Sequence, residues 1–459
     1  MPLNFSPIQT QYRRIASPIP VPESEAFFSE LAKYEPRSMG GQPPVVWDRA
    51  EGFQVWDAYG NQWIDFSSGV LVTNAGHGRK EMREALHEQI DHGLLHSYCF
   101  LNKPRFELAK KLSSLAPPPL EKVFLLTTGS EAVECAVKLA RTYGKRCFGD
   151  SKITVVGFVN DFHGRTLGSQ MAGGFQAQKE WIVNLDPNMA QVPYPDGFRT
   201  KDVSFDLFLR SLQEKGVTGA ATAAVLVETY PGASAAFMPV EYAHKLRAWC
   251  DEHEALLIFD EVQAGFGRCG RWFGFEHYGV SADLVCCGKG VSSGLPLSAV
   301  IGRADIMDMY GPGEMTSTHS GNPLCCAAAL ASIGIIEREG LLENAAQLEK
   351  PLLQRSREIM AASQDHIGAV DGKGLVAALQ FVIPGGTEPD KELAKRVVWR
   401  CVEKGLLLFA PVGVGGGTIK VNPPLCISEE ALLEGLDVLE ECVRTEIEAM
   451  TPIPIKINA

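Results

Sequence analysis

Residues 256–290 read LLIFDEVQAGFGRCGRWFGFEHYGVSADLVCCGKG, and the parsing of this stretch decides the architecture of the chain. Leu256 to Phe259 is a short apolar run followed at once by two acids, Asp260 and Glu261. Asp283 to Cys287 is a second such run, closed by Gly288, Lys289 and Gly290. Each has the length of a buried parallel strand, and Gly265 to Gly279 supplies the crossover between them. In an open parallel sheet the ligand crevice lies beyond the carboxyl ends of the strands, so Asp260 and Lys289 are expected to face one cleft.

The same rhythm extends outward. Val123 to Leu126 leads into a helix over Glu131 to Tyr143, while Ile153 to Val159 and Ala223 to Glu228 are further strands. This alternation predicts an α/β fold, a mostly parallel sheet with helices on both faces, over residues 105–335. Residues 336–459 change character. Helices over Leu341 to Ala361 and Lys391 to Lys404 flank short strands at Leu375 to Val382 and Thr418 to Val421, which predicts a smaller α+β domain. Upstream, residues 1–45 are proline-rich and lack a sustained period, so an extended arm is expected, free to lie against a partner subunit. Residues 46–104 hold a hairpin, FQVWDAYGNQWIDF at 53–66 with its turn at Gly60-Asn61, then a helix over Arg79 to His92.

Bulk properties narrow the class. A chain of 459 residues, 45% of them apolar, can bury a large core. The formal charge of -12 argues against nucleic acid or an anionic membrane as the main partner. No apolar run reaches the roughly 18 residues of a membrane span, and MPLNFSPIQTQYRRIASPIP lacks the apolar core of a signal peptide, so a cytoplasmic protein is expected. The twelve cysteines, including the pairs Cys286-Cys287 and Cys325-Cys326, show no CxxC or Cys/His spacing. They read as small buried hydrophobes, and no metal is expected.

A lysine and an aspartate at neighbouring strand ends suit pyridoxal phosphate: Lys289 as the Schiff-base amine, Asp260 as partner of the ring nitrogen, favouring its protonated, electron-accepting form. Lys289 must be neutral to attack a carbonyl, and a displaced lysine can shuttle a proton. The segment VFLLTTGSEAVECAVKLAR at 123–141 supplies a phosphate end. It runs strand, turn, helix, so Gly129 and Ser130 sit at a helix N-terminus, where unpaired N–H groups and a partial positive charge await an anion. Alone, such a turn is also an ordinary helix cap.

These blocks together resemble the class III aminotransferases, a family of fold type I pyridoxal-phosphate enzymes. The chain follows the FDEVQxGFGRxGxxFxxExxxxxPD and xxxGKxxxxGxPLxAV patterns, with Ala282 in place of the first pattern's proline. The likeness runs from WDAYGNQWIDFSSG at 56–69 to VNPPLCIS at 421–428. It implies that Phe162, in the Phe162-His163-Gly164 motif, stacks on one face of the cofactor ring and Val262 on the other, and that Gln263 bonds the ring hydroxyl oxygen. It also implies a homodimer in which Thr318, of the TxxGNP motif, reaches the phosphate in the neighbouring site. The reaction implied is ping-pong transfer of an amino group from an amine or amino acid to a 2-oxo acid.

The substrate end departs from the pattern. Many relatives place an arginine before the PPL motif and a glutamate in a QGEGG-like loop. Here IKVNPPLCIS puts Lys420 at the first position and ETYPGASAAFMP puts Ala233 at the second. Lysine keeps the charge without the planar fork, so it is either a weaker carboxylate grip or a surface charge at the cleft edge. The paired change argues against the gated pocket of a 4-aminobutyrate or ornithine enzyme. Tyr98 and Phe100, in HSYCFLN, are candidates for the pocket wall. Racemisation or elimination on the same framework is the alternative activity, since the residues around Lys289 are common to all.

Overall fold

Every residue of the strand Leu256–Asp260 is buried, because both of its faces are covered. Leu256 and Ile258 belong to the apolar layer that holds Ala132, Ala136 and Leu139 of the helix Gly129–Phe148. Leu257 and Phe259 belong to the opposite layer, with Phe208, Leu246 and Trp249 of the helices Phe205–Glu214 and Val240–Glu252. The period of two thus sends alternate side chains to two cores, each fully buried one contributing roughly 1.5–3 kcal/mol. This structure is a computed structural model and describes residues 5–450; residues 1–4 of the expected arm and 451–459 of the expected C-terminal domain lie outside it.

The central sheet has seven strands in the order 122–126, 298–302, 284–287, 256–260, 222–228, 154–158, 189–192. All run parallel except Ser298–Gly302, which is antiparallel to both its neighbours. The link from Gly288 to Leu297 is too short for a helical crossover, so the chain doubles back. The other surprise is the crossover at 265–279. It contains no α-helix, only turns and a 3-10 helix at Gly274–Tyr278. Glu261 fastens it, its carboxylate accepting from the backbone N–H groups of Gly274 (2.7 Å) and Phe275 (2.8 Å) and from the Thr229 hydroxyl.

Two smaller sheets flank this core. Ile367–Gly372, Ala377–Phe381 and Thr418–Val421 form an antiparallel sheet. In the other, the hairpin Gln54–Trp56 and Gln62–Asp65 is joined by Leu406–Leu407, which pairs parallel with Ile64 and Asp65. The segment expected as an extended arm contributes its own hairpin, Ile8–Gln9 with Arg14–Ile15, to this sheet and then turns into a short helix, Glu25–Leu31. Arg268 knits the parts together from a fully buried position, donating to the carbonyls of Leu375 (2.8 Å) and Pro423 (2.6 Å) and to Asn74 Oδ1 (2.8 Å). No helix among the described residues is long and apolar enough to cross a membrane.

Candidate active site

The carboxyl ends of the central strands open on a cavity of about 250 Å³ that gathers Gly129, Ser130, Phe162, His163, Asp260, Val262, Gln263 and Lys289. Strand register does most of this. Asp260 ends its strand with its Cα opposite Glu228 on one side and Cys286 on the other, so the side chains of Asp260 and Glu228 share a face. Lys289 follows the next strand in a tight turn and holds a positive φ of 42°, a conformation unfavourable for a residue with a Cβ and found preferentially at functional sites. Loss of water around its amine pulls the Lys289 pKa below the ordinary lysine range, against the opposing pull of Asp260 and Glu228.

Behind the cavity lies a buried cluster of acids around one imidazole. His163 Nδ1 is 2.8 Å from Asp260 Oδ2, and Asp260 Oδ1 accepts from the Val262 N–H at 3.0 Å. Both oxygens of Asp260 are therefore held. Glu228, which has no legible role in the sequence, bridges two loops that line the site: it accepts from the N–H of Phe162 (2.8 Å) and of Gly232 (3.1 Å). Burial, and then the neighbouring Asp260 charge working against the relief from His163, raises the Glu228 pKa to about 7.

The phosphate end is a helix N-terminus with most of its donors already taken. Thr128 caps the helix in a capping box with Glu131, whose carboxylate accepts from the N–H groups of Thr127 (3.0 Å) and Thr128 (2.9 Å). The Glu131 N–H in turn meets the Thr128 hydroxyl at 3.3 Å. That leaves Gly129 and Ser130 as the first-turn N–H groups facing the cavity. Ser130 Oγ also accepts from the Arg165 N–H at 3.3 Å, which pins the loop carrying Phe162 to the helix.

A second cavity, about 450 Å³, adjoins the first through Phe162, Gln263 and Lys289. Its walls are mainly apolar, including Leu71, Phe409, Pro411 and Val412, with Ala233 and Lys420 at one end. Lys420 is 2% exposed, so it is not a surface charge at the cleft edge. Its Nζ donates to Gln263 Oε1 (3.1 Å) and the Gly232 carbonyl (3.3 Å) and sits 5.0 Å from the centre of the Tyr230 ring. Burial lowers its pKa to about 7. Arg165 also lines this cavity and, unlike Lys420, is exposed, lying 5.5 Å from the Phe162 ring. Its sequence signal was its place directly after Phe162-His163-Gly164.

Three expected residues lie elsewhere. Thr318 is exposed on the loop before the helix Pro323–Arg338 and lines neither cavity. Tyr98 is 41% exposed and Phe100 78% exposed, and neither forms a wall of this chain's cleft. Tyr98 and the Thr318 loop are neighbours, since the Tyr98 hydroxyl is 3.3 Å from Thr316 Oγ1.

These residues fit pyridoxal phosphate. The Asp260 and Glu228 carboxyl groups line the cavity, and among the described residues no lysine or arginine forms an ion pair with either, so this wall suits a cationic ring nitrogen. The cradle is as wide as glycine leaves it. A Cβ on Gly164 would stand 2.2 Å from Ser130 Oγ, and one on Gly129 would stand 3.0 Å from Val262 Cγ1.

Comparison with known proteins agrees with this geometry. The family described as aminotransferase class-III matches residues 37–443. The chain is 36% identical over 444 residues to the 4-aminobutyrate aminotransferase of Mycobacterium leprae, covering 94% of this chain and 97% of the relative. It is 34% identical to the leucine/methionine racemase of Thermococcus litoralis, over 87% of this chain and 90% of the relative. Among solved structures, a transaminase from the marine bacterium Virgibacillus aligns with a TM-score of 0.84 at 25% identity, over 93% of this chain and 100% of that one. The chain therefore belongs to the class III aminotransferases, pyridoxal-phosphate-dependent enzymes that transfer an amino group from an amino donor to a 2-oxo acid.

Proposed function

We propose that Lys289 attaches the cofactor, that Asp260 faces its ring nitrogen, and that Gly129 and Ser130 receive its phosphate. One observation carries this assignment: an amine at a strand end, a carboxylate at the next strand end and an open helix N-terminus line a single cavity of about 250 Å³. Pyridoxal phosphate, when bound, supplies an aldehyde that joins reversibly to amines and a ring that accepts electrons from the substrate carbon. Phe162 and Val262 enclose the ring from its two faces, and Gln263 donates to its hydroxyl oxygen. Lys289 Nζ, freed where a donor amine replaces it, would carry the proton between the donor's α-carbon and the former aldehyde carbon of the cofactor, two bonds away across the nitrogen. The acceptor half-reaction uses the same residues in reverse, which gives ping-pong kinetics.

The donor enters the adjoining cleft of about 450 Å³ with its amine towards Lys289 and its apolar body along Leu71, Phe409 and Val412. Lys420 is occupied by Gln263 and Gly232, so a donor carboxylate meets Arg165 instead. The enzyme works as a cytoplasmic homodimer, in which Thr318 and Tyr98, exposed on adjacent loops, complete the neighbouring cleft. Racemisation by the same residues has one observation in its favour, the loss of the gating pair at Ala233 and Lys420. Mixing the holoenzyme with single amines and no acceptor tests both activities. Transfer predicts loss of the cofactor's visible band, with restoration by a 2-oxo acid and stoichiometric appearance of its amino acid. Loss of optical activity from an amino acid with no acceptor would establish racemisation instead.

A further inference from the structure

The acid cluster behind the cavity contains one group that the assignments above leave without a task. Asp161 precedes Phe162 and is 0% exposed. Its Oδ2 accepts from the Glu228 N–H at 3.2 Å and stands 3.7 Å from His163 Nε2. Among the described residues its Oδ1 has no partner, and neither does His163 Nε2. Buried polar atoms are nearly always paired, so an unpaired Nε2 with the Asp161 Oδ2 only 3.7 Å away marks a contact poised to close. A shift of roughly 0.7 Å, or one bridging water, brings the pair to ordinary hydrogen-bond distance.

We propose that Asp161 is a positioning residue for the reaction. From behind His163 it completes a chain, Asp161–His163–Asp260, that fixes the imidazole and so holds Asp260 aligned on the cofactor's ring nitrogen. This rests on the assignment of Asp260 to that nitrogen. The chain is directional: with Nδ1 engaged by Asp260 Oδ2, only Nε2 is left to meet Asp161. The groups facing Asp161 are Glu228 from one strand, Asp260 from the next, His163 on its own loop, and Tyr194. No lysine or arginine pairs with it among the described residues. Burial, then the Glu228 charge, raises the Asp161 carboxyl well above the usual range. A protonated Asp161 donates to His163 Nε2, and an ionised one stabilises an imidazolium; in either state the imidazole gains a second anchor.

The test is a pH titration of the visible absorbance of the holoenzyme, wild type against Asp161→Asn, with kcat and KM measured on the same samples. Asparagine keeps the size and removes the titration. The expected result is a shift of about half a pH unit or more in the absorbance midpoint, with kcat down about tenfold and the donor KM little changed. Should Asp161→Asn not accumulate folded, Asp161→Ser leaves room for a bridging water and carries the same expectation. An unchanged midpoint with kcat within about twofold of wild type overturns the proposal. A wild-type protein with no visible band at all would instead overturn the assignment of Asp260 and Lys289 beneath it.

Discussion

Lys420 Nζ donates to Gln263 Oε1 across 3.1 Å, and this bond decides which way the Gln263 amide faces. While Lys420 is protonated it has donors and no acceptor, so the amide turns its oxygen towards it and leaves its NH₂ for other partners. Gln263 lines both cavities, so its free NH₂ suits the ring hydroxyl oxygen of the cofactor. Lys420 thus acts on a neighbouring amide inside the fold.

The burial of Lys420 predicts a particular pH dependence of stability. Its pKa falls from 10.5 in the open chain to about 7 in the folded one. Between those values the unfolded state binds a proton that the folded state has shed, so unfolding becomes less favourable as pH rises. Within the window each pH unit contributes up to about 1.4 kcal/mol. Lys420→Met lacks this contribution. The difference in Tm between wild type and variant is expected to move in favour of wild type by a few degrees from pH 7 to pH 9. A constant difference would show that Lys420 keeps its ordinary proton.

Arg165 carries the predicted carboxylate contact. Arg165→Gln is expected to raise the KM of a carboxylate-bearing donor about tenfold, with kcat nearly unchanged and little effect on a donor amine that lacks a carboxylate. Steady-state kinetics on such a donor pair checks this. Equal effects on both donors would place the carboxylate elsewhere in the cleft.

What could be read in the chain alone follows from how local the signals are. The strands at 256 and 284 were legible because unbroken apolar runs end in charged residues, and the sheet then brings Asp260 and Lys289 together without further information. The reversed strand Ser298–Gly302 was not, since SAVIG has the same apolar character whichever way it runs. Lys420 shows the limit of side-chain reasoning: charge and position were plain, but its burial depends on the folding back of the Gly232 loop. Glu228 and Asp161 were hidden for a similar reason. Glu228 accepts from the Phe162 N–H and Asp161 from the Glu228 N–H, pairs 66 and 67 residues apart that no motif announces.

Gly164 sets the width of the phosphate cradle. Its φ of 133° suits glycine, and an added methyl group would meet Ser130 Oγ at 2.2 Å and Ser169 Oγ at 2.6 Å. Gly164→Ala is therefore expected to displace the Ser130 hydroxyl and weaken cofactor retention about tenfold or more, a loss of one good hydrogen bond to an anion. Dialysis followed by the visible spectrum measures it. Full retention would mean that Ser130 is not a phosphate ligand.

The placement of Thr318 outside both cavities of its own chain permits a decisive mixing experiment. Lys289→Ala removes the attachment amine and the proton carrier, so it is expected to fold normally and lose turnover by about a thousandfold or more. Thr318→Asp puts a carboxylate where a dianionic phosphate is proposed to lie, and Coulomb repulsion should expel the cofactor. Each variant alone is then inactive. If Thr318 serves the neighbouring cleft, a mixed dimer collects both defects in one site and leaves the other intact. Co-expressed in equal amounts, the two variants would recover about a quarter of the wild-type activity, because half of the dimers are mixed and each has one good site. If Thr318 served its own cleft, every site in the mixed dimer would carry one defect, and no activity would return.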